Sequence, residues 1–146
     1  MKSELHLRPA ASADWPSIEQ LLVAAGLPLE GAADHLANFI VGEADGRLMC
    51  VGGFEQYGAS ALLRSVAVSG ELRGTGVGES LIRTLRALAQ SRGVAELFLL
   101  TTTAADFFGK RGFKVIARAE TPTALQASRE FQGVCPASAT AMVARL

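Results

Sequence analysis

The chain has 146 residues, and its 14 Lys and Arg residues balance its 14 Asp and Glu residues. This length suits a single domain spanning residues 1–146, and the balanced charge argues against nucleic acid or an anionic membrane as a partner. Hydrophobic residues make up 49% of the sequence, without a run of about 20 that could span a bilayer, so we expect a sheet buried on both faces or a homodimer.

The first forty residues predict a strand followed by two helices. Residues 4–10 alternate apolar and polar side chains, as a half-buried strand does. Asp14 can then cap a helix that carries its aliphatic side chains on one face and ends at Gly26. Residues 31–39 are predicted to form a second short helix.

The middle of the sequence predicts three antiparallel strands joined by tight turns. Two apolar runs meet across Asp45-Gly46, a dipeptide typical of two-residue hairpins. Residues 60–68 are predicted to form the third strand, which is mostly apolar and therefore central. An amphipathic helix from about residue 76 to residue 92 follows, with its aliphatic side chains on one face.

The last third predicts a buried strand, a short helix and two closing strands. Residues 95–101 are continuously apolar, as in a strand covered on both sides. A short helix ends at Gly112, a strand and one or two helical turns follow, and residues 138–146 close the chain as a strand. This order of elements predicts a mixed α/β fold with a mostly antiparallel sheet, and not a doubly wound sheet.

The stretch LRGTGVGESL, residues 72–81, has three glycines at alternate positions directly before the long helix. Backbone N–H groups without neighbouring Cβ atoms can approach a phosphate there, and the helix dipole adds partial positive charge. No lysine follows the glycines, which excludes a P-loop, and the third glycine comes too early for a dinucleotide fingerprint. An anion site and a plain strand-to-helix turn both remain open for the loop alone.

The glycine loop is one of several motifs that follow one another in the sequence. VAV at 66–68 and RGTGVG at 73–78 precede an amphipathic helix, an apolar strand and AADFFGKRGF at 104–113. In this combination the chain resembles the GCN5-related N-acetyltransferases (GNATs), over nearly its whole length in element order. The resemblance implies a GNAT fold, with helices on both faces of the sheet and a V-shaped splay between the fourth and fifth strands.

The resemblance also implies that acetyl-CoA is the co-substrate. Its pantetheine arm would pair with the exposed edge of the central strand, and a backbone N–H near Val66 would polarise the thioester carbonyl. Phe108 stands where many members of the family carry the tyrosine that protonates the leaving sulfur, so no general acid is assigned. The residues implied to contact acetyl-CoA are Val66, Ala67, Val68, Arg73, Gly74, Thr75, Gly76, Val77, Gly78 and Phe108.

The acceptor side has several candidate residues. Glu55 is the candidate general base, in competition with a solvated carboxylate at the end of a strand. Arg64 could hold the carboxylate of an amino-acid-like substrate, or it could pair with Glu55 across the sheet. His35 is a candidate substrate contact or a plain surface residue. The candidate substrate-binding residues are Arg64, Ser65, His35, Thr102 and Arg129.

Cys50 and Cys135 do not suggest a metal site, so no metal is expected, and so few cysteines are typical of a reducing cytoplasm. The segments AAGLP, LLTTTA and CPASA resemble small acetyltransferases of bacterial arsenic-resistance operons and, more faintly, amino-acid N-acetyltransferases. This closer resemblance implies direct transfer, in a ternary complex, to the amine of a free amino-acid-like molecule. The alternatives are a non-catalytic acyl-CoA-binding module or sensor, and transfer to a protein N-terminus or lysine.

Overall fold

A computed structural model of the chain describes residues 5–126, 128 and 138–146. In these ranges, no helix combines the length and hydropathy needed to cross a bilayer. The α-helices are α1 (Trp15–Ala24), α2 (Val77–Ser91), α3 (Ala105–Gly109) and α4 (Thr123–Gln126), and a 3-10 helix spans Ala33–Asn38. The strands are β1 (His6–Pro9), β2 (Phe39–Ala44), β3 (Arg47–Tyr57), β4 (Ser60–Val68), β5 (Glu96–Thr101), β6 (Lys114–Ile116) and β7 (Thr140–Arg145).

The strands form one sheet in the order β1-β2-β3-β4-β5-β7-β6. Every neighbouring pair is antiparallel except β4 and β5, which run parallel and are joined through α2. The sheet confirms the predicted mixed, mostly antiparallel fold. It also explains why the long helix follows β4, since two parallel neighbours need a crossover between them.

The two parallel strands diverge soon after they meet. Residues 60–63 of β4 pair with residues 96–99 of β5, and the register has no further β4–β5 pairs beyond Leu63 and Leu99. β4 nevertheless continues to Val68 and β5 to Thr101. The edge of β4 that faces β5 is therefore open over its last five residues, which confirms the predicted splay between the fourth and fifth strands.

Helices cover both faces of the sheet. α2 buries Leu81 and Leu85 on one face, in a cluster with Phe54. α1 buries Ile18 and Leu22 on the opposite face, against side chains of β2 and β3. The apolar composition is thus largely used within the chain, because the central strands have no solvated face.

Two local predictions turned out differently from their sequence pattern. The segment predicted as a second short helix is the 3-10 helix Ala33–Asn38, in which His35 has non-helical backbone angles. The Asp14 side chain makes no capping bond to α1. Its carboxylate instead accepts hydrogen bonds from both terminal nitrogens of Arg8, at 2.8 and 2.9 Å, and from the Ala11 N–H at 2.8 Å. A charge-assisted bidentate pair competes successfully with a cap.

The hairpin turn and one strand glycine show how closely the sheet is packed. Asp45 and Gly46 both have positive φ, 53° and 74°, as the predicted two-residue turn requires. Gly53 on β3 lies opposite Phe39 on β2, and a Cβ at Gly53 would lie 2.0 Å from the Phe39 ring. The fully buried Phe39 ring therefore occupies the space that a side chain at position 53 would need.

We expect Gly53→Ala to destabilise the fold by about 1–3 kcal/mol, because the new methyl group must displace the Phe39 ring from a packed core. Thermal unfolding measures this as a drop in Tm. Gly109→Ala is the matched control, since a Cβ at Gly109 would meet no atom within 4 Å and its φ is not left-handed. Equal Tm values for the two variants would contradict this account of Gly53.

Candidate functional site

The V between β4 and β5 opens into a cleft of about 720 Å³. This volume lies in the range of roughly 300–1,000 Å³ that is usual for small-molecule sites. Four segments contribute most of its walls: the end of β4, the end of β5 with the turn after it, the loop after α1, and α3. The lining residues are Ala25, Gly26, Leu27, Pro28, Glu30, Leu63, Arg64, Ser65, Val66, Ala67, Val68, Arg73, Leu99, Leu100, Thr101, Thr102, Thr103, Ala104, Phe107, Phe108 and Ala139.

A β-bulge shapes the β4 side of the cleft. The register moves from Gly53 opposite Arg64 to Val51 opposite Ala67, so β4 advances by one more residue than β3 does. Ser65 lies in this bulge with a positive φ of 60°, which is uncommon for a residue with a side chain. A bulge takes its residues out of the hydrogen-bonded ladder. Ser65 and Val66 have no register partner on β3, and both line the cleft.

The glycine loop connects Arg73, which lines the cleft, to the N-terminus of α2. Gly74 and Gly76 have positive φ values of 79° and 85°, and a Cβ at either position would meet no atom within 4 Å. The loop is exposed, and α2 begins directly after it at Val77. The first N–H groups of a helix have no partners within that helix. This end of the cleft can therefore take an anion, and Arg73 at its edge adds a positive charge.

Gly78, the third glycine of the motif, has a different surrounding. It lies inside α2, and a Cβ there would be 3.2 Å from the Phe107 ring of α3. The missing side chain lets α2 and α3 approach each other closely. Packing between the two helices is thus one reason for a glycine at this position.

Glu55 does not line the cleft. It is 2% exposed, and its carboxylate accepts hydrogen bonds from Arg64 Nη1 at 2.7 Å and from the Tyr57 hydroxyl. Burial alone would raise the pKa of Glu55, but the hydrogen bonds from Tyr57, Arg64 and Ser128 outweigh it and hold the pKa below its usual range. Burial, together with the bond to Glu55, raises the pKa of Tyr57 to about 12. The ion pair is the second of the two possibilities that the sequence left open for Arg64.

The other predicted acceptor residues lie in three places. Arg64 and Ser65 line the cleft beside the bulge, and Thr102 lines it from the turn after β5. His35 is half-buried on the 3-10 helix, outside the cleft lining, with Nε2 3.8 Å from Glu55 Oε1. Arg129 and Cys135 lie outside the described residues. Cys50 is fully buried between β2 and β4, where burial raises the pKa of its thiol to about 11.

Phe108 lies at the boundary between the cleft and the core. It is 7% exposed, and its ring makes edge-to-face contacts with Phe107 and Phe113, with centroids 5.1 and 5.5 Å apart. Phe107 also lines the cleft. The two rings give this wall an apolar surface without a hydroxyl group.

One part of the cleft was not predicted. The loop after α1 contributes Leu27, Pro28 and Glu30 to the wall. From the sequence, this segment was the end of a helix and part of the AAGLP resemblance, and none of its residues was assigned to the site. Gly26, with a φ of 70°, turns the chain there. A helix that ends in a turn followed by a proline was the available signal that this loop leaves the surface of the sheet.

The chain was compared with known families and curated proteins. A family model described as an acetyltransferase (GNAT) domain matches residues 35–115. An amino-acid acetyltransferase of Neisseria meningitidis is 30% identical over 133 residues, which covers 80% of this chain and 29% of that protein. An uncharacterised N-acetyltransferase of Chlorobaculum tepidum is 31% identical over 91 residues, covering 62% of this chain and 58% of that protein. The chain thus spans less than a third of the amino-acid acetyltransferase.

Solved structures share the fold. N-acetylglutamate synthase from Neisseria gonorrhoeae, complexed with coenzyme A and N-acetyl-glutamate, matches with a TM-score of 0.84 at 25% identity, over 100% of this chain and 36% of that chain. A Mycobacterium tuberculosis protein in complex with CoA matches with a TM-score of 0.79 over 97% of this chain and 99% of that one, and at 21% identity it shows the fold alone. The family match covers more than half of the sequence and includes the bulge, the glycine loop and α3, and the chain therefore belongs to the GNAT acetyltransferase family.

Proposed function

We propose that the protein transfers the acetyl group of acetyl-CoA to the amine of a small amino-acid-like molecule, with both substrates bound together. The observation that carries this proposal is the cleft at the splay of β4 and β5, which combines an open strand edge with an exposed glycine loop. An open strand edge suits an extended arm that carries amide groups. The loop suits a phosphate group.

The proposed binding site for acetyl-CoA, the acetyl donor, follows from the open strand edge and the glycine loop. Val66, Ala67 and Val68 supply the open edge of β4, to which a pantetheine arm can add as another strand would. In the loop of residues 73–78, the N–H groups at the start of α2 would be offered to a pyrophosphate at the positive end of that helix, whereas those of Arg73 and Thr75 already donate to the Gly70 and Leu72 carbonyls. The Arg73 guanidinium at the edge of the cleft would add a charge-assisted contact with a phosphate oxygen.

The chemistry needs little from side chains. Acetyl-CoA supplies an acetyl group that is already activated as a thioester. The Val66 N–H, which the bulge takes out of the ladder, would donate to the carbonyl oxygen as negative charge develops there. Phe107 and Phe108 would keep water from this wall of the cleft. An α-amino group with a pKa near 8 loses its proton without a strong base, so a buried general base is not required.

The acceptor class rests on the relatives and on the cleft. Curated relatives of this chain are named amino-acid acetyltransferases, and a similar solved structure is an N-acetylglutamate synthase. Both support an amino acid or an analogue as the acceptor. Thr102, Thr103 and Glu30 supply polar groups on the lining. The resemblance to arsenic-resistance acetyltransferases would narrow the acceptor to an amino-acid-like toxin. That link stays a prediction. The other predictions that stay so are the single domain, the cytoplasmic location, the absence of a metal and the homodimer.

A non-catalytic acyl-CoA-binding module is the second candidate. Phe108 favours it, because the apolar wall at this position has no hydroxyl group that could protonate a leaving thiolate. Acetyl transfer does not depend on that proton, since a thiolate is a fair leaving group. Turnover therefore distinguishes the two candidates.

The protein is expected to release free thiol from acetyl-CoA when it is incubated with amino acids, simple amines or amino-acid antimetabolites as acceptors. The measurement is the rate of thiol release for each acceptor, with an acceptor-free incubation as the control. Release with one class of amine establishes the enzyme and its acceptor together. Acetyl-CoA binding without release for any acceptor would favour the binding module.

Gly76→Ala should weaken acetyl-CoA binding by about tenfold or more, because a methyl group in the loop blocks the approach of a phosphate to the backbone. Gly93→Ala is the matched control, since Gly93 has nearly the same φ, 82° against 85°, and equally open surroundings. Gly93 follows the C-terminus of α2, about 22 Å from the loop for a helix of 15 residues. Both variants carry a left-handed alanine, which costs about 1–2 kcal/mol.

Calorimetry with acetyl-CoA is the measurement for this pair. Equal affinities of Gly76→Ala and Gly93→Ala for acetyl-CoA would show that the glycine loop is not part of the binding site. A loss confined to Gly76→Ala would assign the phosphate contact to it, because the backbone strain is common to both.

A further inference from the structure

The guanidinium of Arg64 joins three separate parts of the molecule. Its Nη1 donates to Glu55 Oε2 on β3 at 2.7 Å, its Nε donates to Ser65 Oγ in the bulge at 3.1 Å, and its Nη2 donates to the Pro28 carbonyl at 3.4 Å. The Arg64 side chain has no exposed surface. The planar guanidinium carries its N–H donors in a fixed, fork-like arrangement, so it can bond several acceptors at once in a defined geometry, which the ammonium group of a lysine cannot do.

Two of these contacts bear directly on the cleft. Ser65 belongs to the bulge of β4 that lines the cleft, and Pro28 belongs to the wall after α1. Pro28 is 36 residues away from Arg64 along the chain, and the two segments lie in different elements. The guanidinium therefore links the wall after α1 to the bulge of β4.

Glu55 supplies the charge that keeps the guanidinium in place. Its carboxylate faces Arg64, the hydroxyls of Tyr57 and Ser128, and His35 Nε2 at 3.8 Å. A carboxylate with this many donors and a depressed pKa is a weak proton acceptor at neutral pH, because an efficient general base has a pKa near the working pH. It is also absent from the cleft lining.

We propose that Arg64 is a positioning residue for the acceptor, which ties the Pro28 wall to the Ser65 bulge, and that Glu55 is its anchor and not the general base. The inference rests on the proposed acetyl transfer for its kinetic consequences. The structural part of the proposal is that Arg64 ties the Pro28 wall to the Ser65 bulge through its hydrogen bonds, and this part does not depend on turnover.

Arg64→Lys tests the tie, because lysine keeps the positive charge for Glu55 and loses the fork. With the best acceptor from the amine panel, we expect KM for the acceptor to rise by about tenfold, with kcat within about threefold, as for a loss of ground-state positioning. Acetyl-CoA affinity should stay within about twofold, since the donor site is intact. Arg92→Lys is the matched control: Arg92 uses its fork to hold Asn38 and the Ala37 carbonyl, outside the cleft, and should leave every constant unchanged.

Hydrogen exchange measures the wall without any acceptor. The amides of Leu27 and Ala32 donate to the carbonyls of Leu22 at 2.9 Å and Leu29 at 3.1 Å, so their exchange reports on this loop. We expect it to be about tenfold faster in Arg64→Lys than in the wild type or in Arg92→Lys. Unchanged exchange would overturn the tie even if the wild-type enzyme is active. Faster exchange in a protein that acetylates none of the panel would leave the tie standing and refute only the proposed function.

Glu55→Gln tests whether Glu55 is an anchor or the general base, since glutamine keeps an oxygen that can accept from Arg64 and loses the negative charge. We expect kcat/KM to fall as the pH is lowered in both proteins, with the same midpoint pH in Glu55→Gln as in the wild type. A rate that no longer depends on pH, with unchanged acceptor KM, would make Glu55 the base and overturn the assignment. A loss in Arg64→Lys confined to carboxylate-bearing acceptors, with decarboxylated amines unaffected, would make Arg64 a substrate contact and overturn it as well.

Discussion

The cleft depends on one extra residue in β4. Before the bulge, Arg64 shares a face of the sheet with Gly53 and Glu55, on the side of α1. Without the bulge, every later side chain of β4 would lie on the wrong face, because side chains alternate along a strand. The bulge restores the alternation, so that Ala67 packs with the α1 cluster while Val66 packs toward α2. The same extra residue thus leaves backbone groups without register partners at a place that lines the cleft.

A charged pair beside the bulge is a costly way to hold it, and the costs are offset by hydrogen bonds. Burying a guanidinium and a carboxylate removes both from water, and their attraction alone often fails to compensate for that loss. Arg64 and Glu55 also bond to Ser65, Tyr57 and the Pro28 carbonyl, so most of their polar atoms regain partners. The result is a fixed geometry at the junction of β3, β4 and the loop after α1. An apolar pair of the same volume would fill the space without directing these groups.

The sequence predicted what local chemistry determines and missed what distant contacts determine. The Asp45-Gly46 turn follows from two residues that tolerate positive φ, and the mixed, mostly antiparallel sheet follows from the order of strands and helices along the chain. The bulge at Ser65 has no such signal, because a serine with positive φ is imposed by the ladders around it. The contact of Gly78 with a phenylalanine of α3 also had no signal in the sequence, where the glycine was interpreted only as part of a phosphate loop. The partner of Arg64 was one of two possibilities until the fold brought β3 and β4 into register.

The wall after α1 is separate in sequence from the rest of the cleft. The family match begins at residue 35 and ends at residue 115, so it includes the open edge of β4 and the glycine loop but not residues 25–30. Loops of this kind tolerate change better than the strands that they border. Under the proposed function, the loop after α1 borders the acceptor, whereas residues 66–68 and 73–78 border acetyl-CoA, so part of the acceptor wall lies in a separate stretch of the chain. On that proposal, substitutions confined to residues 25–30 would alter the shape of the acceptor wall and leave the open edge of β4 and the glycine loop unchanged.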